Sequence, residues 1–288
     1  MKPLVSILMT AYNREKYISE AIESVIASTY QNWELIIVDD KSKDKTVEIA
    51  KNYADKDSRI KLYINEINLG DYPNRNKAAS YATGKYLKYI DADDMIYPYG
   101  LEQMVFYMEQ FPEAGYGLFT MKQDKNKAYP YQLSPQEAYI KHYFKFPIFN
   151  RAPLSSIIQR EVFNLVGGFT GKQNVGDFEF WHILSRKYPV VLMPHSHGHI
   201  WWREHDDQQH NIHKSNPFFL KYLLLANDML EHKDCPLDEN QKRIALKNNY
   251  KAISRKIIIG TLKHSIKKGL QAKKASKLSF LDIFRYAI

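Results

Sequence analysis

The sequence predicts an α/β fold built on a mostly parallel, doubly wound sheet, with a helical appendage at its C-terminal end. Two observations carry this. Over the first 121 residues, short apolar runs alternate with stretches whose apolar residues recur at helical spacing, and such an order calls for crossover helices on a parallel sheet. From Pro217 onward only helical patterning follows.

The elements read in order as follows. Val5 to Thr10 is an apolar run of strand length, and Asn13 stands where it would cap a helix carrying Ile18, Ala21, Ile22, Val25 and Ile26 on one face. Leu35 to Val38 is a second buried strand, closing on Asp39-Asp40. A helix around Thr46 to Tyr53 and a strand around Ile60 to Ile64 follow, then a helix from Pro73 to Ala82. Tyr86 to Ile90 is a strand that delivers Asp91; Tyr99 to Gln110 reads as helix and Gly115 to Met121 as strand. Lys122 to Asn150, rich in Tyr, Lys and Pro, reads as a loop-bearing insertion. Order returns at Leu154 to Gln159, a helix begins near Asp177, and Pro189 to Met193 and Gly198 to Arg203 are strand candidates. Open α/β sheets bind ligands past the carboxyl ends of their strands. Thr10, Asp39, Asp40 and the cluster Asp91-Ala92-Asp93-Asp94 all fall there.

Composition sets bounds on this reading. The chain of 288 residues is long enough for one large domain and an appendage. The single cysteine, Cys235, permits no intrachain disulfide and points to a reducing compartment. The N-terminus carries no cleavable signal pattern and no apolar stretch approaches the roughly 20 residues of a bilayer span, so the expected location is cytoplasmic. Net charge is +9, but residues 241–288 hold 13 of the 41 Lys and Arg and one of the 32 acidic residues. A basic tail on a mildly acidic body argues against nucleic acid as partner.

Three carboxylates within four positions repel one another unless a cation is shared. Oxygen ligands suit Mg²⁺ or Mn²⁺, and Mg²⁺ prefers few carboxylates together with substrate phosphates. An acidic solvated turn is the plainer alternative, and the position after a buried strand weighs against it. The four successive segments Val5 to Asn13, Glu34 to Ser42, Asn68-Leu69-Gly70 with Arg75-Asn76, and Tyr89 to Asp94 resemble the ordered motifs of family 2 glycosyltransferases. The resemblance spans about residues 4–210. It implies the GT-A fold, with a Rossmann-like central sheet, and transfer from a nucleotide-diphosphate sugar with inversion. By that resemblance residues 1–215 form the transferase domain, with a nucleotide-binding half at about 1–121 and an acceptor half at about 122–215; 216–288 is the basic helical region.

Carried onto this sequence, the resemblance implies a nucleotide pocket of Thr10, Ala11, Tyr12 and Asn13, with Tyr12 stacking near the base. It implies Asp40 accepting from the base imide, Arg75 closing the pocket, and Asp91 and Ala92 toward the ribose or sugar. Asp93 is the principal expected metal ligand, with Asp94 beside it and His205 as a third. A uridine diphosphate sugar is the expected donor. The segment Gly176 to Trp181 is similar to the family's Glu-Asp motif at a helix start, which makes Asp177 the general base. Gly176 departs from the usual Glu, which puts the support of that base in doubt. A carboxylate among aromatic residues suits a base, because desolvation raises its pKa; a helix cap is the alternative reading of Asp177, and Glu179 the alternative base.

Arg203, in Trp201-Trp202-Arg203-Glu204-His205, has the planar fork that suits phosphate, and a surface ion pair explains it equally well. Trp181, Trp201, Trp202 and the Tyr-rich stretch from Tyr129 to Tyr143 offer aromatic faces to an acceptor sugar, although aromatic residues this frequent are more often core. His195, His197 and His199 alternate as ordinary strand residues would. Lys247, Lys251, Arg255 and Lys256 recur at helical spacing beside Ile253, Ile257 and Ile258. Such a basic amphipathic helix suits an anionic membrane surface at the inner face of the cell membrane, where a saccharide or lipid-linked acceptor would be met. Two rivals remain at this point. A nucleotidyltransferase on a related fold would need a glycine-rich triphosphate loop, which Thr10 to Arg14 lacks; a non-catalytic sugar- or membrane-binding module would not need Asp177.

Overall fold

The computed structural model describes residues 2–195, 199–204, 218–263 and 266–287. The chain forms two compact units. The first comprises Met1–Ala138 and Ile148–Glu204, the second Tyr139–Pro147 and His205–Ile288.

Through the first unit the order is β1 (Val5–Ala11), α1 (Ile18–Ile26), β2 (Trp33–Asp39), α2 (Thr46–Ala54), β3 (Ile60–Ile64), α3 (Asp71–Ser80) and β4 (Tyr86–Asp91). There follow β5 (Met95–Ile96), α4 (Gly100–Glu109), β6 (Tyr116–Thr120), β7 (Tyr131–Leu133) and α5 (Pro135–Ile140), whose end enters the second unit. Then come β8 (Ser156–Gln159), α6 (Arg160–Val166), α7 (Gly176–Ser185), β9 (Val190–His195) and β10 (Ile200–Trp201). The main sheet has the order β3-β2-β1-β4-β8-β6-β9-β7. Strands β3, β2, β1 and β4 pair in parallel, as do β6 and β9, while β8 and β7 run antiparallel to their neighbours. β5 and β10 form a separate antiparallel ribbon.

Every residue of β2 is buried, the pattern of a central parallel strand covered on both faces. This is why the apolar runs were readable as strands. Register sets Ala11 beside Asp39 and Thr10 beside Asp91, so the strand ends that carry polar residues form one row.

Three local expectations change. Asn13 does not cap α1, which begins five residues later at Ile18. It adopts a left-handed conformation (φ 52°) and ties two loops together, accepting the Lys43 N–H (2.9 Å) and donating its own N–H to Ser42 Oγ (2.8 Å). α3 starts at Asp71 rather than Pro73, because a first-turn residue needs no intrahelical N–H partner and proline is tolerated there. The supposed insertion at 122–150 holds β7 and α5; a three-residue edge strand leaves too short a run to read.

In the second unit α8 (Phe218–Glu231), α9 (Glu239–Lys263), α10 (Ile266–Ser276) and α11 (Phe280–Ala287) pack around Leu220, Ile253, Ile257 and Ile283. Asn249 fastens α9 to α8 by donating to Leu223 O and Asn227 Oδ1, each at 2.6 Å. No described helix is long and apolar enough to cross a membrane.

Glu34 is the polar residue inside β2. It accepts from Ser6 Oγ (2.7 Å), Thr83 N (2.8 Å), Thr83 Oγ1 (2.7 Å) and Lys61 Nζ (2.8 Å), which binds β1, β2, β3 and the approach to β4. Burial alone would raise its pKa, but Lys61 and the hydroxyl donors outweigh that and hold it at about 2. A carboxyl depressed on folding contributes stability above its unfolded pKa and loses it as pH falls toward the folded value. The wild type is therefore expected to lose about 3 kcal/mol from this group between about pH 5 and pH 2. Glu34→Gln should be weaker at neutral pH and flatter across that window. Urea unfolding at a series of pH values checks this, and parallel acid limbs would refute it.

Candidate active site

The row of strand ends gathers most of the residues singled out in the sequence. Ala11 is buried, Thr10 partly so, and Tyr12 is 42% exposed, with its ring accessible at the edge. Asp39 is held by Ser42, whose N–H donates at 2.8 Å. Asp40 accepts from Leu69 N (2.7 Å), Gly70 N (2.8 Å) and Asn65 Nδ2 (2.9 Å), so it shapes the 65–70 loop. A carboxylate has about four acceptor positions, which leaves Asp40 room for one further donor.

At the end of β4 each carboxylate has a different partner. Asp91 accepts from Arg75 Nη2 at 2.6 Å, and Arg75 Nε also binds Asp71 at 2.7 Å. Arg75 is 7% exposed, and its buried Nη1 finds no hydrogen-bond partner among the described residues. Ala92 is buried, which packs the turn against the sheet. Asp93 pairs with Arg14 Nε at 2.8 Å. Asp94 receives the backbone N–H of Arg203 at 2.9 Å. Burial holds both Asp91 and Asp94 above the ordinary carboxylate range, reinforced by repulsion from Asp93 on both, from Asp71 on Asp91 and from Asp91 on Asp94. Below them Lys88 is fully buried and directs its ammonium at the carbonyls of Leu154 and Ser156; burial pushes its pKa down to about 7.

Carboxyls that repel and resist ionisation are suited to a shared cation. Asp93 and Asp94 supply oxygen donors of the right chemistry for Mg²⁺ or Mn²⁺. No group of three or more metal-binding side chains occurs among the described residues, so diphosphate oxygens would have to complete such a site. His205 lies outside the described residues.

Asp177 sits in the first turn of α7. Its Oδ1 accepts the Phe178 N–H (2.7 Å), and its own N–H donates to Tyr72 Oη (3.1 Å). Burial, with a smaller contribution from the negative charge of Asp71, pushes its pKa up to about 6. Glu179, one turn face away, is clamped by the Thr170 hydroxyl and by Lys172 Nζ (2.7 Å). The expectation of an acceptor platform at Trp181 is corrected. Its ring is fully buried and stacked on Tyr116, and its Nε1 donates to Arg151 O. Arg203 engages Glu20 (2.5 Å) and the Asp93 carbonyl (3.1 Å), and its guanidinium lies over the rings of Tyr17 and Trp201. That is the ion-pair arrangement, with the phosphate role drawing no support from it.

Sequence reasoning passed over Arg14, Asp71 and Tyr72. A basic residue in the first loop facing an acidic cluster was the available signal for Arg14; Tyr72 had none, because its partner is 105 positions away.

Residues 6–170 match the family model described as glycosyl transferase family 2. Among curated relatives, a UDP-Glc:α-D-GlcNAc-diphosphoundecaprenol β-1,3-glucosyltransferase of Escherichia coli is 43% identical over 105 residues, covering 36% of this chain and 41% of that protein. The chain spans about two fifths of the length of the curated relatives it matches. Of solved structures, Staphylococcus aureus TarS 1–349 in complex with UDP-GlcNAc superposes with a TM-score of 0.73 at 19% identity, covering 100% of this chain and 82% of that one. A mannosyltransferase from Pyrobaculum calidifontis, in complex with GDP-Man and Mn²⁺, gives 0.59 at 16% identity over 99% of this chain and 84% of that one. The fold is therefore GT-A.

The Asp71–Arg75–Asp91 bridge yields a direct expectation. Removing one partner of a buried ion pair costs about 3–5 kcal/mol, so Arg75→Met should lower the unfolding free energy by that order. Arg75→Lys should recover only part of it, since one ammonium cannot fork to both carboxylates. Denaturant titration measures both; a neutral Arg75→Met would show that the bridge carries no weight.

Proposed function

The chain belongs to glycosyl transferase family 2, and on that premise we propose that it transfers a sugar from a uridine diphosphate donor to a hydroxyl acceptor, with inversion, in cell-surface polysaccharide or glycolipid synthesis. The observation that carries this reading is Asp177. It is a desolvated carboxyl with a pKa near 6, and no cationic side chain pairs with it among the described residues. One helix links it to the acidic strand end, since α3 holds both Tyr72, which meets Asp177, and Arg75, which meets Asp91.

In this mechanism the ionised Asp177 accepts the proton of the acceptor hydroxyl. The acceptor oxygen forms its bond to the anomeric carbon from the face opposite the diphosphate, and the nucleoside diphosphate departs in the same displacement. Tyr12 offers its exposed face to the base and Asp40 its remaining acceptor position to the imide. Asp93 and Asp94 would hold Mn²⁺ or Mg²⁺, which supplies charge neutralisation for the leaving diphosphate. Arg75, whose Nη1 has no hydrogen-bond partner among the described residues, would close the pocket at the same strand edge. The UDP-GlcNAc bound by TarS and the UDP-Glc in the name of the Escherichia coli relative support a UDP-sugar donor, while the Pyrobaculum calidifontis neighbour holds GDP-Man.

The second unit supports a membrane-surface location. Its α11 buries Ile283 and exposes Phe280, Leu281 (80%) and Phe284. A cavity of about 820 Å³ in this unit is lined by five basic residues, Lys242, Arg243, Lys247, Lys251 and Arg285, against two acidic ones, Glu231 and Glu239, beside the stacked pair Tyr250 and Tyr286. Exposed apolar residues together with concentrated positive charge suit the headgroup region of an anionic leaflet, where a lipid-linked acceptor resides.

Asp177→Asn should abolish transfer while leaving UDP-sugar binding with Mn²⁺ unchanged in a thermal-shift assay; undiminished transfer would exclude Asp177 as the base. Because a base acts only when ionised, kcat/KM should fall about tenfold per pH unit below about 6 and level off above it. The double variant Leu281→Glu/Phe284→Glu should reduce sedimentation with phosphatidylglycerol vesicles by about tenfold or more. Equal binding of the wild type to neutral phosphatidylcholine vesicles would refute the membrane reading.

A further inference from the structure

Residue 176, immediately before Asp177, is glycine, and its surroundings say why. A Cβ at Gly176 would lie 2.7 Å from Tyr72 Cε2 and 2.9 Å from Cδ2 and Cζ. The volume that a side chain at 176 would take is already filled by the Tyr72 ring. Tyr72 belongs to the first turn of α3, is 7% exposed and packs its ring on Phe169 at 5.2 Å. Its hydroxyl oxygen accepts the Asp177 N–H. An oxygen that accepts from the backbone still has its own proton to donate, and the neighbouring carboxylate is the acceptor at hand.

We propose that Tyr72 is the positioning residue of the Asp177 carboxylate, its ring taking the space vacated at Gly176 and its hydroxyl fixing both the start of α7 and the ionised carboxyl. This deepens the assignment of Asp177 as base and rests on it. The hydroxyl bond favours the ionised form, opposing burial. The charged groups that face Asp177 are Asp71 and Arg75, both on α3, so the helix that sets the tyrosine also sets the field on the carboxyl. Tyr72 itself stays protonated, because burial and the charges of Asp177 and Asp71 raise its pKa. Simple core packing is the competing account of Tyr72, and it predicts different results for two conservative substitutions.

Tyr72→Phe keeps the ring and removes the hydroxyl. Gly176→Ala adds a methyl group where the ring lies. Under core packing alone, the first leaves the Asp177 titration unmoved, and the second costs stability, since its methyl group would lie 2.7 Å from the ring, without changing the carboxyl's midpoint through the hydroxyl. Under the proposal, both displace or delete the same hydroxyl. The readout is the Asp177 carboxyl titration by ¹³C NMR in the full chain, its resonance assigned by its loss in Asp177→Asn. The wild-type midpoint is expected near 6, rising by about half a pH unit or more in each variant. The double variant should be no worse than the stronger single one, because the two act through one contact. In UDP-sugar turnover with Mn²⁺, kcat should drop about tenfold or more with donor KM unchanged, and the acid limb should move to higher pH. An unmoved midpoint in Tyr72→Phe overturns the proposal and leaves the base assignment intact. Full turnover in Asp177→Asn removes the base assignment, and the proposal with it.

Discussion

A single buried guanidinium holds the chemical edge of this sheet in place. Arg75 reaches Asp71 on its own helix and Asp91 at the end of β4, and without it the strand would deliver an uncompensated carboxylate into a desolvated corner. Charge compensation then divides the acidic cluster unequally. Asp91 has Arg75, Asp93 has Arg14, and Asp94 has a backbone N–H but, among the described residues, no cationic side chain. Since Lys88 is itself pushed toward neutrality by burial, it offsets little of this. The expectation from sequence favoured Asp93 as principal metal ligand. The distribution of partners makes Asp94 the carboxylate with the greater need for an external cation, which shifts the proposed emphasis within the same pair.

The guanidinium can do this because α3 is an unusual helix. It is largely polar, yet Tyr72, Asn74, Arg75, Ala78 and Ala79 are buried. Buried polar groups are tolerable when each is bonded, and here most are. Asn74 donates to Val38 O and accepts from Asn65, while Asn76 both donates to Phe169 O and accepts from Phe169 N. These bonds join α3 to β2, to the 65–70 loop and to Phe169, so the helix works as a polar rivet between the strand edge and the segment that leads to α7. Its weak apolar periodicity is the cost of that task.

This explains what the sequence made legible and what it hid. Apolar runs identified β1, β2 and β4, because buried parallel strands are continuous in hydrophobicity, and the polar residues just past them marked the edge. Asn13 misled, because its side chain serves a loop across the 42–43 turn instead of a helix start. Trp181 misled for the opposite reason: an aromatic residue beside a candidate base looks like a sugar platform, but this one faces inward on Tyr116. Arg14 and Tyr72 act on partners 79 and 105 positions away, and spacing within a motif carries no information about such contacts.

Asp177 and Glu179 make the same point most sharply. They lie two residues apart in one helical turn, both acidic, both among aromatic residues, and pattern alone could rank them only by resemblance. Their neighbours separate them. Thr170 and Lys172 come from the preceding loop to bind Glu179, and these bonds secure the entry to α7. Asp177 meets a phenol and a backbone N–H, and no cationic side chain pairs with it among the described residues. A carboxyl kept from water with no cation bonded to it is poised to take a proton near neutral pH, as burial leaves Asp177. The proposed division between the two thus rests less on their own identity than on the absence of a side chain at 176 and the presence of a lysine at 172.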